Sequence, residues 1–326
     1  MTNSRFGVLD QPRIVLAIAV VLFVVFALTL DGFATSGNIF SLIQSVTVIG
    51  LLGIGMAIVI IGRGIDLSMV SVAVMPVAWS FVQMANGASL EAAFLSALLV
   101  ALAVGLLNGW LVAYVEVPAI FATLATGTIV YGAMQFFAVS DDIVQVPPAM
   151  GPISAWLRGT TLGVPHSVVF FVIVAALAAA LLRVTVQGRF VYAIGDNPMA
   201  ARTTGLPVRP NIVLQYVLSA LVALTAGYVL AITVDSANTR IFNSTMIYDV
   251  ILIVVLGGIG LGGGKGTVSN VLVGTVLIGI LINGMTIMNL AYTTQNLIKA
   301  SILLVAITAD SLLNPRDEQT SQQGDI

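Results

Sequence analysis

The sequence predicts an all-α polytopic membrane protein of about ten transmembrane helices, eight at the fewest, with one or more broken or re-entrant segments. Three observations carry this. Hydrophobic residues make up 59% of the 326 positions and charged residues only 8%, for a mean hydropathy of +1.08. A soluble domain carries about 25% charged residues, so this chain cannot coat its own surface with polar side chains and its main solvent is lipid. Long apolar runs also recur along the whole chain, separated by short polar stretches.

A spanning helix needs about 20 mostly apolar residues. Ten runs qualify: 14–30, 43–61, 68–86, 91–115, 118–138, 166–184, 212–233, 246–262, 267–290 and 296–313. The first exceeds the roughly 7–15 residues of a signal-peptide core and no small-x-small cleavage site follows it, so it reads as an uncleaved membrane helix. The runs flanking "GRGIDLS" (62–68) read either as two spans or as one broken helix. The organisation is therefore a cytoplasmic N-terminus (1–13), one transmembrane domain (14–313) with a long loop at 185–211, and a polar tail (314–326). No separate soluble domain is expected.

Orientation follows from Lys and Arg, which favour the cytoplasmic side. With both termini inside, Arg5, Arg13, Arg63, Arg183, Arg189, Arg202, Arg209, Lys265 and Arg316 fall inside. Arg158, Arg240 and Lys299 fall outside or near the outer face. Loop 185–211 alone carries three arginines. The loop at 140–165, acidic through Asp141 and Asp142, falls outside.

Several function classes are excluded or disfavoured. A net charge of −2 gives no reason to expect a nucleic-acid partner, and the absence of cysteine removes disulfide and thiolate chemistry. The one histidine, His166, opens an apolar run and reads as an interfacial residue. One histidine and no cysteine leave little for an intramembrane protease or a metal site, so no catalytic or metal-binding residue is expected. "GGGKGT" (262–267) has Ile259 where a phosphate loop needs its first glycine, and Gly266 where it needs Ser or Thr. Those glycines read as a tight turn between close-packed helices, with Lys265 at the cytoplasmic face.

An ion-coupled carrier usually places acidic residues deep in the membrane. Asp66, Glu116, Asp249 and Asp310 all fall near segment ends, which disfavours an ion-coupled secondary transporter or channel for a small polar solute; that remains the alternative. Asp66 is the carboxylate that a broken helix would carry inward, and its simplest role is to cap the helix starting near Ser68. Asn108, Thr123, Thr126, Gln135 and Asn283 lie within apolar segments. Such polar groups must face protein or a water-filled path, so with Asp66 and Ser68 they are candidate pathway residues, and interhelical bonding is the competing role. "GLLNG" (105–109) is also a close-packing pattern. "LLNG" (106–109) and "LING" (281–284) echo each other, a match too short to carry weight.

The polar stretch "VYAIGDNPMAARTTGLPVRP" (191–210) is an island between apolar runs. Asn197 as N-cap and Pro198 in the first turn start a helix, and Gly205 and Pro207 stop it. Two turns are marginal alone in water, so this helix needs a surface to lie on: the membrane interface, or a cytoplasmic partner. Here a resemblance becomes specific. "GRFVYAIGDNPMAARTTGL" resembles the cytoplasmic coupling segment of permeases of ribose-type ABC importers, within the branched-chain amino acid/ribose-type inner-membrane permease family. "GRGIDLSMVSV", "LLNGWLVAYVEVPAIFATLATGTIVYG" and "VVLGGIGLGGGKGTV" resemble three further segments of that family in the same order, together covering roughly 40–310. The chain departs from the pattern at Met199, usually Glu, at Asp196, usually Gly, and at Met69-Val70-Ser71, usually Val-Gly-Ser.

The resemblance implies an inner-membrane permease that imports a monosaccharide or related polyol by alternating access. It implies no cofactor in this chain, since ATP would be bound and hydrolysed by a separate subunit. Its implied partners are a cytoplasmic ABC ATPase, a periplasmic substrate-binding protein, a second permease chain and the lipid bilayer. The ATPase would dock on Asp196, Asn197, Pro198, Ala200, Ala201, Arg202 and Gly205, with Ala200 and Ala201 presenting a small face to its cleft and Arg202 an exposed donor.

Overall fold

A computed structural model describes residues 11–313. The first ten residues, with Arg5, and the tail 314–326, with Arg316, lie outside the described residues, as do the side chains of Gln11, Ala309 and Asp310.

A helix stands at each of the ten predicted places: α1 (Gln11–Thr29), α2 (Ser36–Ile61), α3 (Met69–Ala85), α4 (Leu90–Ala113), α5 (Ala119–Phe137), α7 (His166–Val184), α10 (Val208–Val234), α11 (Met246–Leu256), α12 (Val268–Ile287) and α13 (Tyr292–Leu313). Among the described residues, seven are long and apolar enough to cross a membrane unaided. The exceptions are α3 with 17 residues, α11 with 11, and the more polar α13. At 1.5 Å per residue, α11 is only about 16 Å long and spans half a bilayer, because Gly257 and Gly258 end it where the hydropathy signal continued to 262. Three further helices are short: α6 (Gly151–Arg158), α8 (Val186–Asp196) and α9 (Pro198–Thr203).

The core forms around α2, α3 and α10, whose buried faces are rich in Val, Ile, Ala and Met. α10 packs on α2, α3 and α4. Gly105 and Gly109 let the α4 backbone approach α10 closely: a β-carbon at Gly105 would lie 2.8 Å from the Val217 Cα. The "GLLNG" pattern is thus a packing surface. α3 is almost wholly enclosed by protein.

The packing repeats. α3 packs on α4, α5 and α10, and α11 packs in the same way on α12, α13 and α2; α10 packs on α4 as α2 packs on α12. The two sets run in opposite senses. The Gly264 N–H donates to the Ile61 carbonyl at 2.8 Å, so the turn after α11 lies at the end of the bundle from which α3 sets out. This is the inverted arrangement of helices known from many transport proteins.

Loop 140–165 is more ordered than its sequence suggests. Strand β1 (Ile143–Gln145) pairs antiparallel with β4 (Ser236–Asn238) after α10, and β2 (Thr160–Thr161) pairs with β3 (Val164–Pro165) beside α6. Asp142 bonds Arg240 and Arg158 pairs with Asp235, so both arginines expected outside are tied to carboxylates. His166 is a clasp: Nδ1 meets the Trp156 carbonyl oxygen at 2.6 Å and Nε2 meets Thr161 Oγ1 at 2.7 Å. Lys299 and Asp249, expected near segment ends, face each other between α13 and α11 at 2.7 Å.

Candidate functional site

The island folds as two helices. Thr185 caps α8 by accepting from the Gly188 N–H at 3.0 Å, and Asn197 breaks α8 from α9. As its sequence predicts, Asn197 is the N-cap of α9, with Oδ1 accepting from the Ala200 N–H at 2.9 Å, and Pro198 follows it. Gly205 takes a left-handed φ of +79°, the conformation that ends such helices.

One expectation about its surface is corrected. Ala201 does not face outward. It is 4% exposed and packs with Ile194 and Val208, near Phe190 and Leu206. The 3.6-residue period turns it inward and leaves Met199, half exposed, and Ala200 outward. Arg202 is exposed, as expected; with Arg209 it lies near Glu116, at 3.8 and 3.3 Å, and Arg209 donates to that carboxylate, which ties this end of the segment to the turn between α4 and α5.

The segment is seated on the helix bundle through backbone contacts. Gly195 at the end of α8 lies so close to Ile61 that a β-carbon would overlap its carbonyl oxygen and crowd the Gly264 nitrogen. Gly264, at φ +72°, packs against the Asp196 backbone, and Gly263 against Arg63. The Tyr192 hydroxyl donates to the Gly266 carbonyl at 2.7 Å, and burial raises its pKa above the usual value, so it remains a donor. The glycine turn is therefore a seat for α8. Its Gly264 N–H is used by the Ile61 carbonyl.

The loop that this seat touches leads directly to the buried polar residues. Asp66 is 1% exposed. Its Oδ1 accepts from the Ser68 N–H (3.0 Å) and hydroxyl (2.6 Å), and its Oδ2 from the Ser219 hydroxyl (2.7 Å). Asn108 Nδ2 donates to Ser68 Oγ at 2.7 Å, and Thr126 donates to Asn108 Oδ1. Thr123 accepts from the Leu67 N–H at 3.0 Å. Five of the candidate pathway residues, Asp66, Ser68, Asn108, Thr123 and Thr126, thus form one connected cluster that ties loop 62–68 to α4, α5 and α10. Asp66 braces Ser68, the residue that precedes α3, but does not cap the helix itself, whose first-turn N–H groups receive no side-chain bond at that end. The cluster is closed and leaves little unpaired.

The other two candidates lie elsewhere. Asn283 exchanges two amide hydrogen bonds of 2.9 Å with Asn38 and so joins α12 to α2. Gln135 has a buried Oε1 without a partner near the far end of α5. Ser219 and Glu116 were not expected as members of these networks. A serine within an apolar run carries no signal of its partner, and Glu116 is recognisable only once α9 is folded against it.

Inverted helix sets, an interrupted polar loop at their meeting point and a two-helix segment seated on that loop define a multi-pass membrane transport component. The chain belongs to the family described as the branched-chain amino acid transport system / permease component, whose model matches residues 38–307. It is similar to the ribose import permease protein RbsC of Escherichia coli strain K12, 31% identical over 93% of this chain and 94% of that protein. It is also similar to the L-arabinose ABC transporter permease protein AraH of Azospirillum brasilense (31%, 94% and 90%) and to RbsC of Bacillus subtilis (30%, 89% of each). No solved structure matches.

A first prediction concerns Asp66. Asp66→Asn retains an oxygen for the Ser68 N–H and turns an amide toward Ser219 Oγ, which can accept, so membrane abundance and uptake should stay within about twofold. Asp66→Leu leaves the Ser68 and Ser219 donors buried and unpaired, at about 1–3 kcal/mol each, and should lower abundance in fluorescence-detected size exclusion. An abundant Asn variant without uptake would show that the negative charge itself is required.

Proposed function

We propose that this chain is the membrane permease of an ATP-driven importer that carries a monosaccharide or related polyol into the cytoplasm by alternating access. The observation that carries this is the seating of α8–α9 on both loops of the inverted core, at Ile61 and Gly264. The names of the ribose and L-arabinose permeases it resembles support the substrate class.

In this reading the chain lies in the bacterial inner membrane with both termini cytoplasmic, and α8–α9 faces the cytoplasm. A separate ATPase docks there, binds and hydrolyses ATP, and moves the segment as a lever; the permease makes and breaks no bonds and needs no cofactor of its own. A periplasmic binding protein delivers the sugar to the opposite end, and a second permease chain completes the pathway.

Two experiments test it. A topology reporter fused after Arg202 should read cytoplasmic, and one within residues 141–152 periplasmic; the reverse pattern would remove the docking role. In proteoliposomes containing the chain with its cognate ATPase and binding protein, accumulation of radiolabelled ribose, arabinose or hexoses should require ATP. Uptake driven by an ion gradient without ATP would instead establish the secondary-transporter alternative.

A further inference from the structure

The connection between α5 and α7 carries apolar side chains that the described residues leave exposed. α6 turns Ser154 and Leu157 inward and Ile153 and Trp156, one turn apart, outward. Its last residue is fixed to the end of α10: Arg158 Nε donates to the Ile232 carbonyl at 2.7 Å, and the guanidinium pairs with Asp235. Arg158 is the only charged residue in 151–165. Beyond it, β2 and β3 form a hairpin with a two-residue turn, Leu162-Gly163. Both turn residues have positive φ, +53° and +79°, a geometry that usually takes Asn-Gly. Its first place here holds a leucine that is 99% exposed.

The length of α7 sets the depth of this connection. Its 19 residues extend about 28 Å at ~1.5 Å each, close to the ~30 Å of hydrocarbon in a bilayer. α7 ends at Val184 beside α8, so its first residue, His166, stands at the hydrocarbon boundary of the opposite end. His166, Val169 and Ile173 share one helix face, and the exposed Val169 and Ile173 meet lipid along it. The Trp156 ring stacks on the His166 ring with centroids 5.0 Å apart and so heads that lipid-facing stripe. The same imidazole meets the Trp156 carbonyl oxygen and Thr161 Oγ1, which fastens both α6 and the hairpin to the start of α7. The hairpin is two residues deep, about 7 Å at ~3.3 Å per residue, so its tip stays within reach of a headgroup layer roughly 5–8 Å thick on each side.

We propose that α6 and the β2–β3 hairpin form an interfacial foot that lies in the headgroup layer of the bilayer, with Trp156 as its anchor and Leu162 among the upper acyl carbons. Tryptophan collects at this level because its ring is apolar and its N–H wet. A leucine wholly exposed at a left-handed turn position is unfavourable in water, and lipid removes its apolar surface from water. With Arg158 turned to Asp235, residues 151–165 present no unpaired charge to a protein partner, whereas their apolar side chains continue the stripe of α7. Because Arg158 also holds the Ile232 carbonyl, the foot fixes the level at which α10 ends.

The test uses the full chain in phosphatidylcholine–phosphatidylglycerol vesicles. Trp79→Phe with Trp110→Phe leaves Trp156 the only tryptophan. Its fluorescence should be quenched at least twofold more strongly by lipid brominated near the headgroup than by lipid brominated near the chain ends. The chain has no cysteine, so a nitroxide on Leu162→Cys reports the hairpin tip alone and decides the matter if the tryptophan variant fails to fold. That label should collide more often with dissolved oxygen than with a water-soluble nickel chelate. A Trp156 not quenched preferentially from the headgroup end, or a label that the chelate reaches as freely as one on a soluble protein, would overturn the proposal. A label shielded from the chelate only after a cognate binding protein is added would overturn it as well and assign the tip to that partner.

Discussion

A Gly195→Val chain is expected to reach the membrane but lose at least tenfold in sugar uptake, with ATP hydrolysis that no longer responds to sugar-loaded binding protein. The added side chain has nowhere to go, because a β-carbon at this position already overlaps the Ile61 carbonyl oxygen and crowds Gly264. Both obstacles are backbone and cannot swing aside as a flexible side chain would. Overpacking of this kind costs about 1–3 kcal/mol, and the simplest relief is for the end of α8 to lift away from loop 62–68. The core helices keep their packing, so abundance should fall less than twofold. What is lost is the contact between α8 and the loop carrying Asp66 and Ser68, the route by which the proposed lever would act. Hydrolysis that still responds normally to loaded binding protein would show that motion reaches the core by another route.

Ala200→Trp and Ala201→Trp are expected to fail in different ways, although the residues are adjacent. Ala200 faces outward beside the half-exposed Met199. A tryptophan there should leave abundance near wild type while retention of the ATPase on the purified permease falls at least tenfold, because a bulky ring fills the space a docking partner would occupy. Ala201 is enclosed by Ile194 and Val208. A tryptophan there has no cavity to enter and should reduce the folded protein itself, read as earlier thermal aggregation of the detergent-solubilised chain. Loss of ATPase retention at Ala201 with full stability, and none at Ala200, would reverse the assignment of faces.

The ten helices were legible because hydropathy over some twenty residues is a strong signal, and the caps of α9 were legible because Asn-Pro and Gly have local conformational reasons to be where they are. The inward face of Ala201 was not, because two adjacent alanines carry no mark of direction; Ile194 and Val208 decide it from outside the helix. The strands β1 and β4 escaped notice because each is three residues long and pairs with a segment some ninety positions away. Asn108 and Asn283 show the limit most clearly. They sit in nearly the same four-letter context, yet one joins the cluster around Asp66 and the other is held by Asn38. An amide in an apolar run announces that it must be satisfied, not by whom. The Asp249–Lys299 pair was missed for a related reason: each residue lies near a segment end, and only the packing of α11 on α13 brings the two charges together.

The shortness of α11 bears on how the chain is made. Eleven residues followed by a glycine turn cannot be handed to lipid as a finished span, because the backbone of residues 257–267 would enter hydrocarbon with its polar groups bare. The expected order is that this segment is retained by the insertion machinery until α12 has been synthesised, and that the two are released together as a hairpin against α2. The last third of the protein is in this sense templated by the first. A chain interrupted after Leu256 should remain bound to the insertion machinery, exposed to membrane proteases, whereas one interrupted after Val234 should be released as a stable fragment.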